Sequence, residues 1–350
     1  MLLTIKNHSF ELIASNDIVT PRFWQKELIR LVRRRLILNS KHRDLLIHAG
    51  PGAGKTLGAL LAFKTMQREG LLNRFIVFCH RNSILHQWKE SAKILELSLE
   101  VIEEYEELEE PVGKSDSLLI TYQGAAKNEN SISLLIKKWA DGGLLAIADE
   151  VHHLGVSPDQ DEGPAWGRAF SSLTDNFTLR LGLTGTPFRA DNLAFCAARK
   201  IRIEENGSIV EQISPDLIVE PRELIAAGDV RPIEFHFQDG WVEHSKSGQP
   251  DRDCSQLSIE ERESWRSRNL RRAIRLSDTN SIALNLLVRA RQKLEKVRLE
   301  HQNAAGLVIA RDILHAKSIA SFLEENGDTV QLVHSQDKES AENLASFEEA

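Results

Sequence analysis

The sequence predicts an α/β protein built on a parallel sheet with helices on both faces, and three observations carry that prediction. Short apolar runs with strand character alternate with helical runs from about residue 21 onward, as repeated strand–helix–strand units require. Phe75–Cys79 and Leu144–Ala148 are apolar at every position, which suits strands covered on both sides. Glycines and polar residues gather where these runs end, and in parallel sheets ligands sit at the carboxyl ends of strands.

Taken in order, residues 1–20 are a lead-in with a strand or two. Pro21 opens an amphipathic helix in which Trp24, Leu28, Leu31 and Val32 recur at helical spacing. A strand around Leu45–Ile47 leads into the glycine-rich loop, and Leu57–Glu69 reads as a helix stopped by Gly70. Arg74–His80 is a buried strand, followed by a helix carrying Gln87 and Trp88 and a weaker strand near Leu97–Ile102. The acidic run at 103–110 reads as a solvated edge. Ser117–Gly124 is a strand ending in polar residues, Ser131–Ala140 a helix, and Gly142 and Gly143 punctuate the entry to the strand Leu144–Ala148. The run Thr178–Arg189 is the next strand, and it ends in Thr184-Gly185-Thr186-Pro187.

Asp44–Thr56, reading DLLIHAGPGAGKT, has the order strand, phosphate loop, helix. Gly50, Gly52 and Gly54, with Ala53 between the last two, allow backbone N–H groups to turn inward around phosphate oxygens. The helix start adds unpaired N–H groups and a partial positive charge. Lys55 is placed to reach β- and γ-phosphates, and the Thr56 hydroxyl to bind Mg²⁺. The alternative, a glycine-rich connection with a solvated lysine, fits the flanking strand and helix less well. Gln25, just upstream, has an amide able to pair with an adenine edge, and Phe23 or Trp24 could cover the ring; a solvated Gln and a core Trp are the competing reading.

The strand Leu144–Ala148 ends abruptly in Asp149-Glu150-Val151-His152-His153. Two acids at a buried strand's carboxyl end are costly unless used. Asp149 could hold Mg²⁺ through water, and Glu150 could orient and deprotonate a water attacking the γ-phosphate. The alternative is an N-cap Asp and a first-turn Glu on a following helix. His152 and His153 do not make a metal site, since adjacent histidines are expected to point apart; His152 is the candidate for coupling nucleotide state to motion. Thr184 and Thr186 would lie beside the acids and could hydrogen-bond Glu150 or His152.

The 350 residues are enough for two cores, and 44 Lys+Arg against 51 Asp+Glu leave a net charge of −7. No global basic field favours a polyanion, so a nucleic-acid partner would need a local basic groove. Cys79, Cys196 and Cys254 show no paired spacing, which disfavours a disulfide framework or a zinc site. No stretch approaches the apolar length that spans a bilayer, and the N-terminus lacks a signal-like core, so a cytoplasmic location without membrane contact is expected.

Together these residues resemble a superfamily 2 helicase or translocase of the DEAD/DEAH-like kind. The likeness rests on Gln25 for the adenine motif, AGPGAGKT (Ala49–Thr56) for motif I and FIVFCHRNSILHQW for motif Ia. ITYQG, DEVHH and LTGTP stand for motifs Ib, II and III, in the family's order between Pro21 and Arg189. Ala49 replaces the strict motif's first Gly, a variant the family uses. The wording of DEVHH and LTGTPFR is most similar to the group of type III restriction helicase subunits and repair helicases. That resemblance implies a RecA-like domain over residues 21–238, ATP and Mg²⁺ as cofactors, and ATP-driven movement on DNA, in preference to RNA. A charged linker over 239–278 follows, whose Arg266, Arg268, Arg271, Arg272 and Arg275 could meet phosphates or lie on a solvated helix. Residues 279–350 resemble the opening of a second RecA-like domain, with helix Leu284–Leu299, then strand, helix and stop over Gly306–Gly327, then a strand TVQLVH. Nothing in the 350 residues matches motifs V and VI. The family's arginine finger would therefore come from a protein partner or a missing C-terminal half, and hydrolysis by this chain alone is expected to be slow. The competing function is a nucleotide-gated clamp or scaffold that does no unwinding; a nuclease has no acid and lysine cluster to support it.

Overall fold

In the computed structural model the chain forms two compact units, residues 1–232 and 233–350. The structure describes residues 18–38, 42–81, 84–102, 117–154, 162–186, 199–205, 208–232, 234–237, 241–245, 252–256 and 282–334, with 12–13 and two single positions besides.

In the first unit, the two-residue strands β1 (Leu12–Ile13) and β2 (Ile18–Val19) pair antiparallel ahead of helix α1 (Phe23–Ile37). The α1 residues Trp24, Gln25, Leu28, Ile29 and Val32 are buried, one stripe of a helix laid on a sheet; Leu31, expected in that stripe, is half-buried. The chain then alternates as predicted. It runs through β3 (Asp44–Ala49), α2 (Lys55–Arg68), β4 (Arg74–Cys79), α3 (Leu85–Ile94), β5 (Leu99–Val101) and β6 (Ser117–Thr121). Next come α4 (Tyr122–Lys127), α5 (Glu129–Trp139), β7 (Leu144–Ala148), a 3₁₀ turn (Val151–Leu154), α6 (Glu162–Leu173) and β8 (Leu179–Thr184). A hairpin of β9 (Arg199–Glu205) and β10 (Ser208–Ser214), strand β11 (Leu217–Val219) and helix α7 (Pro221–Ala226) complete the unit.

Seven strands make one parallel sheet in the order β11-β3-β8-β7-β4-β6-β5. Alternation along the strands sorts the core into two layers. Leu45, Ile47, Phe75, Val77, Leu145, Ile147, Leu181 and Leu183 pack with Trp24, Phe63 and Trp88 of α1, α2 and α3. Leu46, Ile76, Phe78, Ala146 and Ala148 point the other way, toward Tyr122, Leu135, Trp139 and Phe170 of α4, α5 and α6. Each fully buried aliphatic or aromatic side chain contributes about 1.5–3 kcal/mol, and truncating a central one such as Phe75 to Ala would cost about 3–5 kcal/mol. At the β11 edge the Asp216 carboxylate accepts from Leu46 N at 2.9 Å and from Arg35 at 3.0 Å, while Asp216 N donates to Leu46 O at 2.8 Å. Gly228, at φ +73, turns the chain out of α7 in the left-handed region, as the predicted stop requires.

The order β3-β8-β7 brings the motif-bearing strand ends together. It places β8 between the strand that feeds the phosphate loop and the strand that ends in the acid pair, so the carboxyl ends of all three share one edge.

The second unit contains a hairpin of β12 (Trp241–Ser245) and β13 (Arg252–Gln256), then helices α8 (Ile282–Arg298) and α9 (Ile313–Glu325). Asp312 caps α9, its carboxylate accepting from His315 N at 2.9 Å, and Arg291 of α8 pairs with Asp328 at 2.9 Å.

Several expectations are corrected. The β6 strand stops at Thr121, because the Thr121 hydroxyl accepts from Gly124 N and turns the polar end into α4. The stretch after residue 239, expected to be loop-like, contains the β12–β13 hairpin. Residues 307–310 and 329–334, expected as strands, have no ladder partner among the described residues, and Leu307 and Ile309 are exposed. The acidic run at 103–110 and the arginine-rich stretch at 266–275 lie outside the described residues, position 274 excepted.

Candidate functional site

The phosphate loop is shaped by two glycines in the left-handed region, Gly52 at φ +74 and Gly54 at φ +82, a backbone form that L side chains rarely adopt. Ala53 N donates to Gly50 O at 3.3 Å, tightening the turn, and α2 starts directly on Lys55 and Thr56 with Gly54 as its cap. The start of α1 braces this loop residue by residue. Arg22 donates to Gly52 O at 2.8 Å, Trp24 Nε1 to Ala53 O at 3.0 Å and Gln25 Nε2 to Gly54 O at 3.0 Å. Arg22 is held in turn by Asp229, 3.3 Å away.

Gln25 is buried, and the other end of its amide accepts from Arg22 N at 2.8 Å, so both of its polar groups are engaged here with protein. Trp24 is a core residue tied to the loop; Phe23, at 80 % exposure, is the aromatic left open at this end of α1. Sequence reasoning did not foresee this three-point brace. Its partners lie about 30 residues away, and only the polar tip of a Trp placed beside a Gln hints at it.

Across β8 stands the acid pair. Asp149 is 6 % exposed, and its N–H donates to Phe78 O at 2.9 Å. Its Oδ2 accepts from Trp88 Nε1 at 2.9 Å, its Oδ1 from Glu150 N at 3.1 Å, and its carbonyl from the Tyr122 hydroxyl at 2.8 Å. Burial pushes its carboxyl pKa upward, opposed chiefly by the indole bond. Trp88 was named from sequence on its helix and within motif Ia, and Tyr122 lies within motif Ib, but no contact of either with Asp149 was foreseen.

Glu150 takes φ +47, uncommon for a residue with a side chain, and the turn Val151–Leu154 begins directly after it. Its Oε1 lies 3.6 Å from Lys55 Nζ; its Oε2 accepts from Gly185 N at 3.4 Å and lies 3.4 Å from His152 Nδ1. Lys55 also donates to Ala49 O at 3.1 Å. His152 Nδ1 is 3.0 Å from Thr184 Oγ1 and 3.3 Å from Thr186 Oγ1, and the buried Thr184 hydroxyl donates to Thr186 O at 3.0 Å. Because that hydroxyl's proton is turned to Thr186 O, His152 Nδ1–H serves as the donor to Thr184. Lys55, Glu150, His152, Thr184 and Thr186 thus form one continuous chain of contacts, with Asp149 behind it.

The histidine rings are placed otherwise than expected. His152 and His153 do not point apart: their centroids are 4.4 Å apart, and His80, at the end of β4, stacks on His153 at 4.3 Å. Burial, then the neighbouring imidazoles of His152 and His80, lower the pKa of His153 to about 4. The stack therefore packs as neutral rings at neutral pH.

The donor set suits magnesium. A threonine hydroxyl and a carboxylate are hard oxygen ligands, too few for a closed cage, and fit an ion that keeps several waters. Thr56 and Asp149 are the residues that would hold it. The start of α2 at Lys55 and Thr56, with the lysine's own charge, is the kind of positive surface a triphosphate needs.

Residues 18–189 match the model of the family described as type III restriction enzyme, res subunit. An uncharacterized protein of Mycobacterium leprae is 26 % identical over 324 residues, covering 90 % of this chain and 51 % of that protein. One of Mycobacterium tuberculosis is 26 % identical over 297 residues, covering 83 % and 46 %. This chain spans about half the length of these curated relatives. Among solved structures, the Sulfolobus solfataricus SWI2/SNF2 ATPase core in complex with double-stranded DNA is 19 % identical with a TM-score of 0.38, covering 52 % of this chain and 35 % of that one. Among the described residues no helix is long and apolar enough to cross a membrane. Residues 18–189, which carry the glycine-rich loop, the acid pair and most of the parallel sheet, are thus similar to the type III restriction enzyme res subunit.

Proposed function

We propose that the first unit binds ATP with magnesium and hydrolyses it to drive movement along nucleic acid, DNA in preference to RNA. The observation that carries this reading is the approach of Lys55 Nζ to Glu150 Oε1, 3.6 Å, across the end of β8. Two charged groups at the ends of different strands stand where one triphosphate could meet both. In this reading the loop N–H groups and Lys55 hold the β- and γ-phosphates. Glu150 orients the attacking water and takes its proton on the carboxylate, which Gly185 N and His152 keep in place. Thr184 and Thr186, bonded to His152, pass the state of that carboxylate to the end of β8. Magnesium, when bound between Thr56 and Asp149, neutralises charge on the phosphate oxygens. Gln25 reads the adenine edge or braces the loop; its contact with Gly54 O favours the brace.

The test is a pair of variants followed with a fluorescent ATP analogue and by phosphate release, with and without single- and double-stranded DNA and RNA. Lys55→Ala is expected to abolish nucleotide binding. Glu150→Gln should bind as the unaltered protein does and lose about 10²–10⁴-fold in hydrolysis, the usual contribution of a general base. A Glu150→Gln protein that hydrolyses normally removes the base from this scheme. Failure to bind any of the four nucleic acids, with nucleotide binding intact, turns the reading to a nucleotide-gated clamp.

A further inference from the structure

The contact between α3 and the acid pair gives a role to a residue outside the phosphate-handling groups. Trp88 is fully buried in the layer formed by α1, α2 and α3, and it is 61 positions before Asp149 in the chain. A buried indole N–H must find an acceptor, and a backbone carbonyl or a hydroxyl would satisfy it. Here it donates to a carboxylate oxygen, Asp149 Oδ2, at 2.9 Å, with both side chains buried. Such a bond to an ionised group is roughly twice as strong as a neutral one, and more directional than packing.

The two oxygens of Asp149 are held independently. Oδ1 accepts from the next residue's own N–H, a local contact that any sequence at this turn could supply. Oδ2 depends on a helix from another part of the fold. Tyr122 and Phe78 anchor only the backbone of Asp149, so they fix where the residue is and leave the carboxylate plane to Trp88 and Glu150 N. A phenylalanine at position 88 could fill much of the same space and would supply no donor.

We propose that Trp88 is a positioning residue for the magnesium carboxylate. Its N–H pins Oδ2 of Asp149, so the carboxylate is held in one orientation before the ion arrives and α3 is tied to the metal side of the site. This rests on the reading of the site as one for Mg·ATP. The consequence is an effect on magnesium uptake rather than on the phosphate loop, which is braced from α1 by Arg22, Trp24 and Gln25.

The test replaces the indole with its sulfur isostere, 3-benzothienylalanine at position 88, which keeps the shape and loses the N–H; Trp88→Phe is made alongside. Binding of the fluorescent ATP analogue is titrated against Mg²⁺ and, separately, measured in EDTA. The isostere is expected to raise the magnesium concentration at half-saturation by about tenfold while leaving binding in EDTA unchanged, since a charge-assisted bond of this kind is worth about one decade of affinity. Trp88→Phe should do the same. A second readout needs no nucleotide: in ¹⁵N-indole-labelled protein, Asp149→Asn should move the Trp88 indole proton upfield, as a weaker acceptor replaces the carboxylate. An unmoved indole resonance, or an isostere with the unaltered magnesium midpoint, overturns the proposal. So does an isostere that loses binding equally in EDTA, which would make Trp88 structural only. If the unaltered protein binds no nucleotide in either condition, the reading of the site fails, and this inference falls with it.

Discussion

Gly58→Ala, in the first turns of α2, separates the two jobs of α1. In an ordinary helix this change stabilises by up to about 1 kcal/mol, because alanine has less conformational freedom to lose. Here an added Cβ would stand 2.8 Å from Trp24 Cη2, 3.3 Å from Trp24 Cζ3 and 3.3 Å from Gln25 Cγ. Trp24 cannot swing clear, since its ring is buried and its Nε1 is bonded to Ala53 O. The helix itself must give way, and overpacking of this kind costs about 1–3 kcal/mol. The balance is a net destabilisation of about 1 kcal/mol. The shift also strains the bonds from Trp24 and Gln25 to the phosphate loop; losing one of them, worth about 1 kcal/mol, corresponds to roughly 5-fold weaker nucleotide binding. Urea unfolding would show a lower midpoint at an unchanged slope, and a fluorescent nucleotide would report the affinity. Trp24→Phe removes the outer ring atoms, so Gly58→Ala in that background should be neutral or stabilising. If Gly58→Ala stabilises equally in both backgrounds, the close approach of α1 to α2 is not what sets the loop, and the reasoning fails.

Three further outcomes are expected from the same packing. His153 has its pKa lowered by burial from the ordinary 6.5 to about 4, with His80 lowered as well and Glu150 and Arg81 acting in opposite directions beside them. The unfolded chain therefore takes up protons first, so stability is whole above about pH 6.5 and falls as pH drops toward 4. His153→Phe, which keeps a ring against His80, should flatten that acid limb in melting-temperature measurements, and an unchanged limb would refute the assignment. Cys79 is buried, and burial, with the charge of Asp149 second, pushes its pKa up to about 12. Alkylation followed by peptide mass spectrometry at pH 8 should leave Cys79 unmodified until the protein is unfolded; rapid labelling in the native state would contradict its placement. Asp216→Ala strips the acceptor from Leu46 N and the partner from Arg35, and is expected to cost about 2 kcal/mol in urea unfolding, with the loss of hydrogen-exchange protection at Leu46 as its local mark.

What was legible in the sequence was the chemistry that is local in it. DLLIHAGPGAGKT states strand, loop and helix within 13 residues, and LLAIADE places two acids directly after an apolar strand. The β9–β10 hairpin was equally legible and went unread: Asn206-Gly207 between two alternating runs is a strong short-range hairpin signal, and Glu205 does pair with Ser208. The β12–β13 hairpin is different, because its strands are polar and charged, and pairing rather than apolar patterning defines them. The brace from Arg22, Trp24 and Gln25 was barely hinted at, and the indole on Asp149 and the stack of His80 on His153 could not be read at all. The last two join segments that only the strand order, with β7 beside β4, brings together, and the brace spans about 30 positions.

That strand order also explains where local preference gives way. Glu150 occupies a left-handed backbone position that glycine or asparagine would fill with less strain, a cost of order 1–3 kcal/mol. An extended backbone here would continue the line of β7, which is buried on both faces. The reversed turn instead brings the carboxylate to Gly185 N and within reach of Lys55 and His152, on the two sides of β8. Gly185 takes part through its backbone: its N–H donates to Glu150 Oε2 at 3.4 Å, and a Cβ there would meet Lys55 Nζ only at ordinary contact distance, 3.5 Å. The sheet sets β3 and β7 one strand apart, and the backbone at Glu150 and Gly185 lets the charged groups of those two strands meet over the strand between them.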